Sequence, residues 1–327
     1  MTQAENKGET AQQRFDHYRN KQDAKPDADV IARLQGAHVV LIGGLGSSAM
    51  NGLEKAFGVA DGKRYFGNFK KVLESHGITA TIHHPETETI EASAQKLLQL
   101  VPKLYREGGD KPLVLVGHSR GGLVATRVLL DAPVLLEKSV IAKAVTLQSP
   151  VNGNALDDLS TWAMARAGTG WLKPEGNFGL KALETESIQK TMGEAFNRLP
   201  AKDRKRVSDA VVWVTGTTDA PDGFLEKTNA KTLTERAGPN DAFVALRDQR
   251  REDYGTLGAY FNDLSHKQAV FVDDSLQERR RNNAFVHAMM EVMSENLAGV
   301  KKSAEAEEKT VAAAIAKWRK GGTPQAA

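Results

Sequence analysis

The sequence predicts an α/β protein built on a mostly parallel, doubly wound sheet, and three observations carry that expectation. Short, almost wholly apolar runs at Ala37–Ile42, Leu113–Val116, Ala142–Leu147 and Val211–Thr215 have the length and composition of strands buried on both faces. They alternate with longer segments of helical periodicity, the pattern that places helices on both sides of a parallel sheet. Between one such strand and the next helix stands Gly117-His118-Ser119-Arg120-Gly121, a tight turn that lifts a serine to the end of the strand.

Taken in order, residues 1–35 are rich in Gln, Asn, Lys and Asp and read as a polar N-terminal extension, helical in patches such as Ala11–Lys21. The main domain, 36–298, opens with the strand Ala37–Ile42 and the glycine-rich turn Gly43-Gly44-Leu45-Gly46. A helix near Tyr65–His76, a strand Ile78–Ile82 and a helix Thr89–Tyr105 lead to the strand Leu113–Val116. Its turn feeds the apolar helix containing Leu123–Leu130. After the strand Ala142–Leu147 the rhythm breaks at about 154–200, where Trp162, Trp171 and Phe178 stand among glycines; this reads as an inserted helical cap. The strand Val211–Thr215 resumes the sheet, Phe285–Leu297 reads as a closing amphipathic helix, and 299–327 is a charged helical tail.

Composition narrows the chemistry. A chain of 327 residues suits one large α/β domain with an insertion. Charged residues make up 26%, the net charge is +3, and no basic block is interleaved with aromatics, so nucleic acid is not an expected partner. The absence of cysteine removes disulfides, thiolate metal sites and a cysteine nucleophile together. No apolar run reaches membrane-spanning length and the N-terminus has no signal pattern, so a cytoplasmic location is the default expectation, with secretion or periplasmic export the alternative if a signal was removed.

A serine hydroxyl is a poor nucleophile at neutral pH; it needs a histidine to take its proton and a carboxylate to hold that histidine's tautomer. Elbows of this strand-turn-helix type run in the order Ser, acid, His. Of eight histidines, His266 and His287 lie far enough past Ser119. His266 sits in a polar stretch, Asn262–Lys267, and is preferred; His287 falls inside the apolar periodicity of a helix. Asp219 and Asp241 both qualify as the acid, and the residues alone do not separate them. His118 is assigned to shaping the pocket, and His83 and His84 to a polar strand end without a third metal ligand. Gly44-Leu45-Gly46-Ser47-Ser48-Ala49 also fits Gly-x-Gly-x-x-Ala, but the acidic residue a dinucleotide site wants at the next strand end is replaced by His83-His84-Pro85.

Over roughly Val39–Phe271 these motifs resemble the bacterial true lipases of the Pseudomonas and Burkholderia type, within the α/β-hydrolase superfamily. Val40–Gly46 is similar to that family's Val-x-Val-His-Gly-Leu turn, Gly117–Gly122 to its Gly-His-Ser-x-Gly-Gly elbow, Ser149–Gly153 to its Thr-Pro-His-x-Gly segment, and Asn240–Val244 to its Asn-Asp-Gly-x-Val motif. The resemblance implies an α/β-hydrolase fold with a lid, and a cofactor-free serine hydrolase of apolar acyl esters. It also implies a catalytic set of Ser119, Asp241 and His266, and an oxyanion hole from the backbone N–H groups of Leu45 and Arg120. It selects Asp241 over Asp219. Phospholipase or acyltransferase chemistry on the same scaffold is the alternative. Trp162, Trp171 and Phe178 are expected to line an acyl pocket or a lid that touches a lipid interface. Two departures stand out: Gly43 replaces the histidine of the oxyanion turn, and Gln268 replaces an aspartate that helps hold a structural calcium, so no metal site is expected.

Overall fold

Strand β1 (His38–Ile42) is buried along its whole length, and its alternating side chains feed two different cores. Val39 and Leu41 join Phe15, Phe69, Phe285 and Met289 on one face. Val40 and Ile42 join Leu97, Leu98, Leu123 and Val124 on the other. This is why the strand reads as a continuous apolar run: neither face meets water. Each such aliphatic side chain contributes roughly 1.5–3 kcal/mol by leaving water.

The computed structural model describes residues 3–21, 23–44, 47, 64–86, 89–153, 185–221, 223–251, 253–271, 275–297, 313 and 316. Among these, helices α1 (Gln3–Asn20) and α2 (Ala28–Gln35) precede β1. Then follow α3 (Gly67–Ser75), β2 (Thr79–His83), α4 (Ile90–Glu107), β3 (Leu113–His118), α5 (Arg120–Asp131) and β4 (Ile141–Leu147). After a series of short helical turns come α6 (Ala201–Ala210), β5 (Val211–Gly216), α7 (Gly223–Ala237), β6 (Thr256–Phe261) and α8 (Leu276–Ser294). The described strands form one parallel sheet in the order β2-β1-β3-β4-β5-β6. The chain places β2 on one side of β1 and β3 on the other, so the topology reverses between β1 and β3, the point at whose C-terminal strand ends open α/β sheets bind ligands. The pairing of Ile42 with Gly117 brings the turn after β1 level with Ser119.

Three elements go beyond the sequence reading. Strand β6 was not anticipated, because Gly255 and Gly258 interrupt its apolar pattern. Helix α8 starts at Leu276, well before the apolar run at Phe285: Ser275 caps it, its hydroxyl accepting from the Glu278 N–H at 3.1 Å. Helix α1, within the stretch read as a polar extension, packs along the sheet edge. Phe15 is fully buried and meets Phe261 and Phe285 edge-to-face at 5.7 and 6.5 Å, and the Gln12 side-chain oxygen accepts from the Asn262 N–H.

Of the stretch read as a cap, 154–184 lies outside the described residues, and so do Trp162, Trp171 and Phe178. Its remainder turns inward: Ile188 and Met192 are buried in the main core, and Phe196 stacks on Tyr254 at 4.8 Å. The tail 299–327 is outside the described residues apart from two helical positions, 313 and 316. Among the described residues no helix is long and apolar enough to cross a membrane.

Candidate active site

Ser119 sits between β3 and α5 with φ 55° and ψ −130°, a left-handed backbone that a serine adopts only under constraint. Such a conformation costs about 1–3 kcal/mol and persists because its surroundings over-determine it. The Ser119 N–H donates to the Leu147 carbonyl at 2.9 Å, and its carbonyl accepts from Gly122. Glycine at 121 is required by close approach: a Cβ there would lie 2.3 Å from the Ile42 carbonyl oxygen. The elbow can therefore press against the end of β1 only without a side chain at that position.

The turn after β1 faces the serine from the other side. A Cβ on Gly44 would stand 3.0 Å from Ser119 Cβ and 2.8 Å from the Tyr65 hydroxyl, so this backbone is wedged between the two. The Gly43 N–H donates to His83 O, and the Gly44 N–H to the Tyr65 hydroxyl at 2.9 Å. Gly44 therefore does not offer its N–H to a pyrophosphate, which removes a donor the dinucleotide reading would need. Leu45 lies outside the described residues. Arg120 is the first residue of α5. Its guanidinium is buried and reaches Thr89 O and Ser93 Oγ at 3.1 and 2.8 Å, pinning the elbow helix to the start of α4.

Asp241 and His266 come together. Both follow the C-terminal ends of strands, Asp241 after β5 by way of α7 and His266 directly after β6. Asp241 is fully buried. Its Oδ2 lies 2.9 Å from His266 Nδ1, and its Oδ1 accepts from the N–H groups of Phe243 and Val244 at 2.9 and 2.7 Å. Both carboxylate oxygens are thus occupied, which fixes the acid in a single orientation. Asn240 clamps the loop onto α7 through Ala230 O, Thr234 Oγ1 and Gly238 O. Gln249 ties the same loop to β5, its amide bridging Gly216 and Val244. Asp219, the competing acid, is exposed.

The ring of His118, which the sequence places as a pocket-shaping residue, lies 4.3 Å from that of His266. Burial, and secondarily the neighbouring His266, hold its imidazole well below the ordinary histidine range, so it is neutral at neutral pH. His287 is elsewhere: on α8 its Nε2 faces His76 Nε2 at 3.2 Å, and its ring packs against Tyr18. The Gln268 amide oxygen accepts from the Ser265 N–H within its own loop. Sequence reasoning missed Tyr65 and Gln249, because a lone tyrosine and a lone glutamine carry no pattern; only their contacts across the fold give them a role.

The strained elbow at a sheet switch point and the histidine-carboxylate pair at neighbouring strand ends define a hydrolase-type architecture. A model of the alpha/beta hydrolase family matches residues 73–291, and the chain belongs to that family. No functionally curated protein matches it by sequence. Among solved structures it is similar to a metagenomic carboxyl esterase, with 20% identity, a TM-score of 0.61 and coverage of 80% of this chain and 76% of that one. It is also similar to a Bacillus licheniformis lipase in its mature form, with 18% identity, a TM-score of 0.52 and coverage of 75% and 86%. At these identities the likeness speaks for the fold alone.

Proposed function

We propose that the protein is a serine hydrolase of carboxylic esters. The observation that carries this reading is the Asp241–His266 hydrogen bond, in a fold that also holds Ser119 in a strained elbow at the end of β3. In the proposed reaction Ser119 Oγ attacks the ester carbonyl while His266 Nε2 takes its proton. The proton then passes to the leaving alkoxide, and an acyl-enzyme remains. Water, deprotonated by the same histidine, attacks the acyl carbon and releases the acid and the free serine. Asp241 keeps the proton on Nδ1 and so presents Nε2 as the base. The backbone N–H groups of Leu45 and Arg120 are proposed to receive the oxyanion; two fixed donors at developing charge are typically worth several kcal/mol of barrier. No cofactor enters these steps.

A preference for apolar acyl chains is proposed from the aromatic content of 154–184, where Trp162, Trp171 and Phe178 would form the acyl wall. Each buried methylene would add about 0.8 kcal/mol. A fluorophosphonate probe should attach at Ser119, and Ser119→Ala should lose both labelling and p-nitrophenyl ester turnover with its fold intact. Labelling at another serine, or turnover surviving in the variant, overturns the assignment. A chain-length series of p-nitrophenyl esters should favour medium chains over acetate.

A further inference from the structure

Resting on the esterase reading above, we propose that Tyr65 is a positioning residue that locks the turn after β1, the nucleophile elbow and the His266 loop into one working geometry. Its hydroxyl lies where three loops from distant parts of the chain meet. It is 2.9 Å from the Gly44 N–H and 2.6 Å from His118 Nδ1, in a wholly buried setting closed by Phe66, His84 and Phe271.

The direction of these bonds follows from valence. A backbone N–H only donates, so the phenol oxygen accepts from Gly44. The phenol's single proton must itself find an acceptor when buried, and among the described residues His118 Nδ1 is the one within reach. His118 therefore carries its own proton on Nε2. That nitrogen is buried and has no hydrogen-bond partner among the described residues. A polar chain thus runs one way, from Gly44 through Tyr65 to His118, whose ring lies 4.3 Å from that of His266.

This arrangement answers a departure in the sequence. Where the lipases that this chain resembles place a histidine in the oxyanion turn, this chain has Gly43, which offers no side chain to hold it. Tyr65 supplies the hold from the segment leading into α3. Gly44 is glycine for the matching reason, since any Cβ would collide with the hydroxyl that fixes it. Removing that hydroxyl leaves the Gly44 N–H buried without an acceptor and frees the His118 tautomer, so the turn, the elbow and the base lose their common reference.

The test uses the full chain. Tyr65→Phe should lower kcat for a p-nitrophenyl ester about ten- to a hundredfold, with KM within about twofold, because misplacement of the reacting groups acts on the chemical step. Wild-type kcat overturns the proposal. So does a loss of activity that vanishes when rates are expressed per fluorophosphonate-titrated site, which marks a merely structural role. Nitrogen-15 NMR of the wild-type histidines needs no variant and covers the case in which Tyr65→Phe fails to fold. His118 should be the neutral Nε2–H tautomer, and a proton on Nδ1 overturns the chain of bonds. In Tyr65→Phe that signature should give way to a tautomer mixture. If Ser119→Ala retains turnover, the esterase reading fails while the tautomer measurement still decides the role of the Tyr65 hydroxyl.

Discussion

Asp241 and His266 are joined twice: side chain to side chain through Oδ2 and Nδ1 at 2.9 Å, and backbone to backbone through the His266 N–H and the Asp241 carbonyl at 2.9 Å. The second bond sets the distance between the two loops and the first sets the tilt of the ring. Replacing the carboxylate with an isosteric amide should therefore leave the loops in place and upset the tautomer. Asp241→Asn is expected to lower kcat by about three to four orders of magnitude, against little change for the exposed Asp219→Asn. Steady-state kinetics on both variants checks this, and the reverse ranking would make Asp219 the orienting acid.

Next to this acid, Ala242 is fully buried with φ 81°, a conformation that suits glycine. The lipase motif that Asn240–Val244 resembles has glycine there. Ala242→Gly should stabilise the protein by up to about 1 kcal/mol, the relief of strain being partly offset by the greater freedom of glycine in the unfolded chain. Urea unfolding reads the change; a clear destabilisation would mean that the alanine methyl packs better than its backbone strain suggests.

Helix α1 should behave as part of the core. Phe15→Ala removes a fully buried ring from contact with Phe261 and Phe285, and is expected to cost about 3–5 kcal/mol. Loosening α1 also bares β6, an edge strand of the sheet among the described residues, so the variant should self-associate on size-exclusion chromatography. A variant with an unchanged urea midpoint would mean that α1 is dispensable.

Acid should weaken the contact between α3 and α8. Burial, then the neighbouring His76 and Lys25, lower the His287 imidazole from 6.5 to about 4, and the groups facing it are His76, Tyr18 and Lys25, with Glu291 one turn away. Below pH 6.5 the unfolded chain takes up a proton that the folded one refuses until about pH 4. This contribution is therefore complete above pH 6.5 and is lost as the pH falls towards 4. In His287→Gln the drop in unfolding free energy between pH 7 and 5 should shrink by on the order of 1 kcal/mol, discounted for partial exposure. An unchanged drop would place the acid sensitivity in other groups.

The sequence by itself determined the parallel sheet and the elbow, because both are local. Strands buried on two faces must be apolar throughout, and the elbow is written in five consecutive residues, with glycine two positions either side of Ser119. His266 was legible from chain order. Asp241 became so only through a motif resemblance, since its carboxylate and that of Asp219 look alike as letters. Tertiary structure alone separated their settings: one is buried under two backbone N–H groups and against an imidazole, the other faces solvent. Phe15, Tyr65 and Gln249 likewise matter through partners far along the chain. A single aromatic in a polar helix, or one hydroxyl between two loops, leaves no periodic trace; its role is fixed by which surfaces the completed sheet brings within bonding distance.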